Sequence, residues 1–318
     1  MIPSDMGDAS LPPPQADARE SLTTRTIPTM TLSRASNPLT APLPPLPASL
    51  SASERALARF AVTGNAVITG GAGTLALASA RALLEHGLSG LALLDLSSTL
   101  KSSANAIEEL KRDFPGARVQ TVVVNVTDER QVADSMKAAH AGFGGTEGID
   151  ILCCFAGVVG CVPSLDASAA EWRRVVDVNQ TGSFLCAQAA ARYMISNTAG
   201  SSILFISSIS GHSVNYPQPQ AAYNVSKAGV KHLTRCLAAE WAVHGIRVNC
   251  ISPGYMDTVL NAGESLGPVR NVWASRCPMG RMGDVEELTG AVVMLCSRRA
   301  GRYITGADIV VDGGAVCF

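Results

Sequence analysis

The run Ala66-Val67-Ile68-Thr69-Gly70-Gly71-Ala72-Gly73-Thr74-Leu75-Ala76 decides the fold of this chain. A short apolar, β-branched stretch feeds a glycine-rich turn, and the turn opens a segment of helical period. Glycine lets the backbone approach a pyrophosphate closely, and a helix N-terminus offers free N–H groups and the positive end of its dipole. A glycine cluster alone marks any turn. Between a strand and a helix it predicts a dinucleotide-phosphate site at Gly70, Gly71, Gly73, Thr74 and Leu75. Asp95 ends the next apolar run, 25 residues after Gly70, where a carboxylate accepts hydrogen bonds from the adenosine ribose and repels a 2′-phosphate. NAD is therefore the expected cofactor, with NADP as the alternative. The bland reading of Asp95 is a helix N-cap.

Outward from that turn, short apolar runs alternate with longer helical segments, the pattern of repeated βαβ units. Strands are predicted over 66–69, 90–95, 117–124, 150–155, 202–207, 247–251 and 309–311, and helices over 74–86, 101–113, 129–141, 169–195, 221–244 and 284–298. Leu91-Ala92-Leu93-Leu94 and Val122-Val123-Val124 are apolar without alternation, as strands buried on both faces are. The expected fold class is α/β: a Rossmann-like, doubly wound, parallel seven-stranded sheet in a single domain over 56–318. Its ligand belongs at the carboxyl ends of the strands.

The start of the chain differs in composition. Ten of the 17 prolines lie in residues 1–50 and one of the 29 glycines lies before residue 60, so residues 1–55 are expected to be a disordered, proline-rich tail. Arg25 and Arg34, with no acid over 21–50, echo a transit peptide; Asp5, Asp8, Asp17, Glu20 and the prolines count against import. A net charge of −1 gives no electrostatic case for nucleic acid or an anionic membrane, which leaves a small-molecule substrate as the expected partner. The nine cysteines fall mostly in apolar runs, with no C-x-x-C pair or histidine-rich cluster. They read as core thiols in a reducing compartment, with no metal site and no disulfide framework. The longest apolar run, 151–162, stops at Pro163 and is too short for a bilayer, so a soluble protein is expected, and the reduced thiols place it in the cytoplasm.

Tyr223 and Lys227 are four apart in a helical segment, so both lie on one face and the ammonium can approach the phenol. The pair alone is suggestive, and its neighbours add weight. Ile206-Ser207-Ser208-Ile209-Ser210-Gly211, Tyr223-Asn224-Val225-Ser226-Lys227, Val178-Asn179, Arg247-Val248-Asn249-Cys250-Ile251-Ser252-Pro253-Gly254 and Val311-Asp312-Gly313-Gly314 occur in this order. On these stretches the chain resembles the short-chain dehydrogenase/reductase family over residues 62–318. The resemblance implies a catalytic group of Asn179, Ser208, Tyr223 and Lys227, with Ser208 on the substrate oxygen and Asn179 holding a water that links Lys227 to solvent. It also implies cofactor contacts from Asn125, Val126, Ala156, Gly157, Tyr223, Lys227, Pro253, Gly254 and Thr258. The helices over 169–195 and 221–244 resemble those that assemble the family's oligomers, which implies a homo-oligomer, tetramer or dimer. Residues 65–96 and 217–230 are most similar to fungal polyol dehydrogenases and ketose reductases of the sorbose, mannitol and arabinitol type.

Each residue also has an ordinary reading: Ser208 as a strand-end cap, Asn179 as a satisfied helix polar group, Tyr223 as a surface aromatic. Thr74 and Ala76 replace family glycines, Asn125 replaces an aspartate, and Phe155 replaces an amide expected to hold the central strand region. These departures leave open a cofactor-binding protein without catalysis. A second alternative is an NADPH-linked reductase of apolar ketones. The loop before Tyr223 carries His212, Asn215, Gln218 and Gln220, which suit a substrate with several hydroxyls if they do not simply face water. A lid candidate over 256–282 mixes apolar and polar residues and does not decide between the two.

Overall fold

The computed structural model describes residues 27–145, 148–258 and 266–318. Of the N-terminal unit, Met1–Thr31, the described residues 27–31 are exposed and carry no helix or strand. The second unit, Leu32–Phe318, holds everything that follows.

Its strands are β1 (Asn65–Thr69), β2 (Gly90–Asp95), β3 (Arg118–Val123), β4 (Ile151–Cys154), β5 (Ser201–Ile206), β6 (Ile246–Pro253) and β7 (Asp308–Val311). They form one parallel sheet in the order β3-β2-β1-β4-β5-β6-β7. Successive side chains point to opposite faces, and the core divides accordingly. Val67, Leu94, Leu152, Phe205 and Val248 pack on one face; Ile68, Leu93, Ile151, Leu204 and Ile251 pack on the other. The first face is covered by α5 (Glu129–Gly142), α7 (Gly182–Met194) and α8 (Ala221–Trp241), through Met136, Ala190 and Val230. The second is covered by α2 (Thr74–Glu85), α4 (Ala104–Asp113) and α10 (Thr289–Cys296), through Leu83, Leu110 and Val292. The chain runs outward from β1 to β3 and then returns to β4 beside β1, where Thr69 pairs with both Leu94 and Cys154. This reversal is the switch point at which doubly wound sheets hold their ligands.

The helix expected over 169–195 is broken. α6 (Ala169–Val176) passes through a π-helical turn, Asp177–Thr181, before α7 begins. The helix expected over 101–113 is two pieces, α3 (Ser97–Ser102) and α4. Two helices have no counterpart in the prediction: α1 (Ala52–Phe60), which opens on a Ser51/Glu54 capping box, and α9 (Gly267–Ser275), which opens at Pro268.

The expectation of a disordered tail over 1–55 is corrected for 32–55; residues 1–26 lie outside the described residues. The stretch 32–50 is a strap laid across the start of β5 and β6. Asn37 Nδ2 donates to Val243 O at 2.8 Å, Arg302 Nε to Ala41 O at 3.0 Å, and Arg299 to Pro44 O at 3.0 Å. Leu39 lies so close to Gly245 that a Cβ there would come within 2.7 Å of it. Proline-rich chain offers carbonyls that no local N–H claims, and guanidinium donors from 299–302 satisfy them. Composition counted apolar area and missed this.

Candidate active site

The glycine turn is shaped by what a side chain would strike. Gly70 has φ +64°, and a Cβ on it would lie 2.5 Å from Ala156 N; a Cβ on Gly71 would lie 2.7 Å from Ile68 O. Gly73 is the N-cap of α2, and no side chain caps that helix, so the N–H groups at Thr74 and Leu75 stay open. A bare backbone cradle leading into an uncapped helix fits the pyrophosphate of a dinucleotide. The Ala76 methyl is 1% exposed and packs with Ala72 and Ala80, so its departure from glycine is absorbed in the core.

Asp95 ends β2, and its Oδ2 accepts from Ala72 N at 3.1 Å while Oδ1 accepts from Leu96 N at 2.7 Å. The N-cap of α3 is Leu96, with no side-chain cap bond, so Asp95 is not a helix cap. It ties the second strand to the glycine turn. Val124 N donates to Asp95 O at 2.9 Å, which brings Asn125 and Val126 alongside. The Asn125 side chain is spent on its own turn, accepting from Thr127 N at 3.1 Å and Thr127 Oγ1 at 2.9 Å, and Val126 is buried. Phe155 keeps the strand end in place by its backbone, N donating to Thr69 O at 2.9 Å, while its ring packs on the α2/α10 core. The missing amide is thus replaced by packing.

Beyond β4, Ala156 faces Gly70, and Gly157 opens a gap between two polar groups. A Cβ on Gly157 would meet Asn179 Oδ1 at 3.3 Å and Lys227 Nζ at 3.5 Å. Asn179 sits in the π-helical turn, 1% exposed. Its Oδ1 accepts from Val158 N at 2.8 Å, and its Nδ2 donates to Val158 O at 2.9 Å and Ser226 Oγ at 3.0 Å. Both amide hydrogens are therefore committed to protein, and the side chain clamps the 157–158 turn. π-turns of this kind recur at functional sites because they re-aim one side chain within a helix.

Ser208 follows β5 at 9% exposure; its Oγ donates to Ser210 Oγ at 3.0 Å and accepts from Ser210 N at 3.1 Å. Tyr223 and Lys227 lie in the first turns of α8. Lys227 Nζ donates to Ile206 O at 2.8 Å and lies 5.6 Å from the centre of the Tyr223 ring. Burial pushes Tyr223 up to about 12, against a lowering hydrogen bond from Ser208, and the neighbouring Tyr255 and Cys161 raise it further. Burial also pulls Lys227 down to about 8, against small raising effects of the Cys154 and Cys250 thiols. At the end of β6, Pro253 precedes Gly254, whose N donates to Val311 O at 2.9 Å and whose Cβ, if present, would strike Asp312 Cα at 2.8 Å. Thr258 is 9% exposed, and the lid residues 259–265 lie outside the described residues.

Of the polar loop residues, His212 is withdrawn from any substrate: its Nε2 lies 2.7 Å from Asp308 Oδ2 and 3.1 Å from Ser252 Oγ. Gln220, 6% exposed, reaches Ser210 Oγ at 3.5 Å and accepts from Cys161 Sγ at 3.5 Å, so it backs Ser208 at one remove. Sequence reading assigns no role to Ser210, Ser226, Tyr255 and Trp273, because no spacing rule connects them; their contacts are tertiary.

A switch-point crevice with a glycine cradle, a strand-end serine and a buried Tyr/Lys pair defines a nicotinamide-dependent oxidoreductase of the doubly wound class. A sequence profile described as enoyl-(acyl carrier protein) reductase matches residues 70–316. The chain is 39% identical over 263 residues to D-arabinitol 2-dehydrogenase [ribulose-forming] of Scheffersomyces stipitis, covering 80% of this chain and 94% of the relative. It is 38% identical over 272 residues to the NADP-dependent mannitol dehydrogenase of Hypocrea jecorina, covering 85% and 98%. A solved short-chain type dehydrogenase/reductase from Mycobacterium marinum superposes with a TM-score of 0.75 at 39% identity, covering 82% and 99%. The chain belongs to the short-chain dehydrogenase/reductase family and is an oxidoreductase acting on CH–OH groups.

Proposed function

We propose that this enzyme interconverts a five- or six-carbon polyol and the matching ketose, with NAD(H) as cofactor. The observation that carries the reading is the convergence of Ser208, Tyr223 and Lys227 beside the Gly157 gap. Similarity to arabinitol and mannitol dehydrogenases and the amide-rich loop before Tyr223 support the substrate class. Gly70, Gly71 and Gly73 would hold the pyrophosphate, Asp95 the adenosine ribose, and Ala156, Gly157, Pro253, Gly254 and Thr258 the nicotinamide end. The nicotinamide, when bound, accepts or gives the hydride.

In oxidation Tyr223 takes the proton of the substrate hydroxyl; in reduction its phenol gives that proton to the carbonyl oxygen. Ser208 hydrogen-bonds the same oxygen and fixes its position. The buried ammonium of Lys227 favours the phenolate. Asn179 acts by clamping the 157–158 turn against α8 through Val158 and Ser226. The preference for NAD rests on the Asp95 carboxylate, whose charge opposes a 2′-phosphate. A cytoplasmic location is part of the reading and rests on nine free thiols suited to a reducing compartment.

Purified enzyme should oxidise mannitol, sorbitol, arabinitol or xylitol with NAD⁺ and reduce fructose, sorbose or xylulose with NADH. Turnover of apolar secondary alcohols alone would overturn the substrate class, and a higher kcat/KM with NADP⁺ would overturn the cofactor.

A further inference from the structure

Ser208 stands on a strand end that is fastened to α8 on either side of it. Before it, Lys227 Nζ donates to Ile206 O at 2.8 Å, and Ser207 Oγ donates to Lys227 O at 2.9 Å. After it, Gly211 presses on the same helix turn: a Cβ there would strike Lys227 C and Ala228 N, each at 2.9 Å. Those are backbone atoms with no room to yield, so the backbone over 206–211 is fixed against Lys227. The Ser208 hydroxyl is a separate matter, because a serine side chain still chooses among rotamers and its proton still rotates.

Ser210 governs both. Its backbone N donates to Ser208 Oγ at 3.1 Å, and its own Oγ lies 3.0 Å from the same atom. It is 5% exposed, inside the short 3-10 turn Ile209–Gly211 that follows Ser208. One residue therefore grips Ser208 Oγ with a backbone group and a side-chain group together. Gln220 Nε2, 3.5 Å from Ser210 Oγ, lies beyond the usual N–H···O range. The direction of the Ser208–Ser210 bond thus follows what Ser208 meets on its other side.

That direction bears on the chemistry. A hydroxyl has one proton and two lone pairs. At rest Ser208 gives its proton to Ser210 Oγ. A substrate oxygen whose proton passes to Tyr223 is left with acceptor capacity only, and Ser208 serves it by turning its own proton outward. Both lone pairs of Ser208 then accept from Ser210, one from its N–H and one from its O–H. Two donors into one hydroxyl oxygen draw charge from it and strengthen the bond that its own proton makes. The gain is largest where negative charge develops on the substrate oxygen, which is in the transition state.

We propose that Ser210 is a positioning residue for the reaction: it reverses its hydrogen bond with Ser208 when substrate binds and, as a double donor, strengthens the hold of Ser208 on the reacting oxygen. Ser210 touches no substrate and exchanges no proton with it. The proposal rests on the functional reading above, in which Ser208 contacts that oxygen.

A double-mutant cycle tests this in wild type, Ser210→Ala, Ser208→Ala and the double variant. The readouts are kcat and KM with NAD⁺ for the alcohol the enzyme oxidises best, with single-turnover rates to isolate the chemical step. Ser210→Ala keeps the backbone donor and loses the hydroxyl. It should lower kcat and the single-turnover rate about fivefold to tenfold, with KM and NADH affinity within about twofold of wild type. In the Ser208→Ala background the same substitution should change the rate by less than about twofold, because the group it acts through is gone. An unchanged single-turnover rate in Ser210→Ala, or an equal loss in both backgrounds, overturns the proposal. Ser210→Cys, whose thiol is a weak donor, runs the same cycle should Ser210→Ala fold poorly. Wild-type enzyme that oxidises no alcohol overturns the functional reading and this inference with it, whereas turnover with additive losses overturns the inference alone.

Discussion

Tyr223 sits where burial opposes the charge its proposed role requires. With its pKa pushed up to about 12, the phenolate fraction grows tenfold for each unit of pH below that value. Oxidation, which needs phenolate, should therefore climb with pH between about 7 and about 9, whereas reduction, which needs phenol, should not. A flat oxidation profile with the chemical step limiting would contradict the assignment. Tyr223→Phe should cut turnover by about 10²–10⁴-fold while NADH binding survives, as read by fluorescence titration. Lys227 carries the opposite sign. Its pKa falls from 10.5 to about 8 on folding, a cost of about 3 kcal/mol for keeping the ammonium buried near neutral pH. The unfolded chain binds the extra proton between about pH 8 and 10.5, so this contribution makes stability rise with pH across that window. Lys227→Met leaves the Ile206 carbonyl without its donor, a loss of about 1–3 kcal/mol that roughly cancels the relief of desolvation. Calorimetry should find Tm within a few degrees of wild type, beside an enzyme without turnover. The placement of Ser208 at a strand end and of Tyr223 and Lys227 on one helix face was legible in the sequence, because each follows from local spacing. The cluster of Asn215, Gln218 and Trp273 around Tyr255 was not legible, since they meet it only after residues far apart in sequence are folded together.

The central strands β1, β2 and β4 were legible because they are apolar on both faces, and helix packing leaves no other place for such runs. The expectation that 122–124 is buried on both faces is corrected, because β3 is an edge strand on which Arg118 and Val123 are exposed. The break between α6 and α7 was hidden, because a π-turn adds one residue per turn locally without changing the apolar character of the segment. The break between α3 and α4 was hidden as well. At this scale the glycine turn gives the sharpest test. Gly70→Ala would place a methyl 2.5 Å from Ala156 N at φ +64°, so either the turn or the start of the 156–157 stretch must move. NADH affinity should fall at least about tenfold, in keeping with about 1–3 kcal/mol of backbone strain at such positions. Unchanged affinity would remove the turn from the cofactor site.

The exposed apolar residues Trp172 on α6 and Val225 on α8 belong to helices that resemble the family's assembly surfaces. We expect a homo-oligomer, and a monomer by light scattering at micromolar concentration would contradict that expectation. The strap gives a second test for the molecule as a whole. The chain lacking residues 1–31 is the reference. Deleting 1–50 also removes the partners of Val243, Arg299 and Arg302 and uncovers Gly245; at about 1 kcal/mol per hydrogen bond, it should lower Tm by several degrees. Equal melting of the two truncations would mean that the strap adds nothing. Its partners lie 206, 255 and 261 residues further along the chain. A ribosome making about 5–20 residues per second therefore releases the strap at least about 10 s before Arg302 exists. Through that interval the nascent segment has nothing to hold, and a protease or chaperone meeting the chain during translation finds it open. The stretch made before the glycine turn is among the last to be fastened.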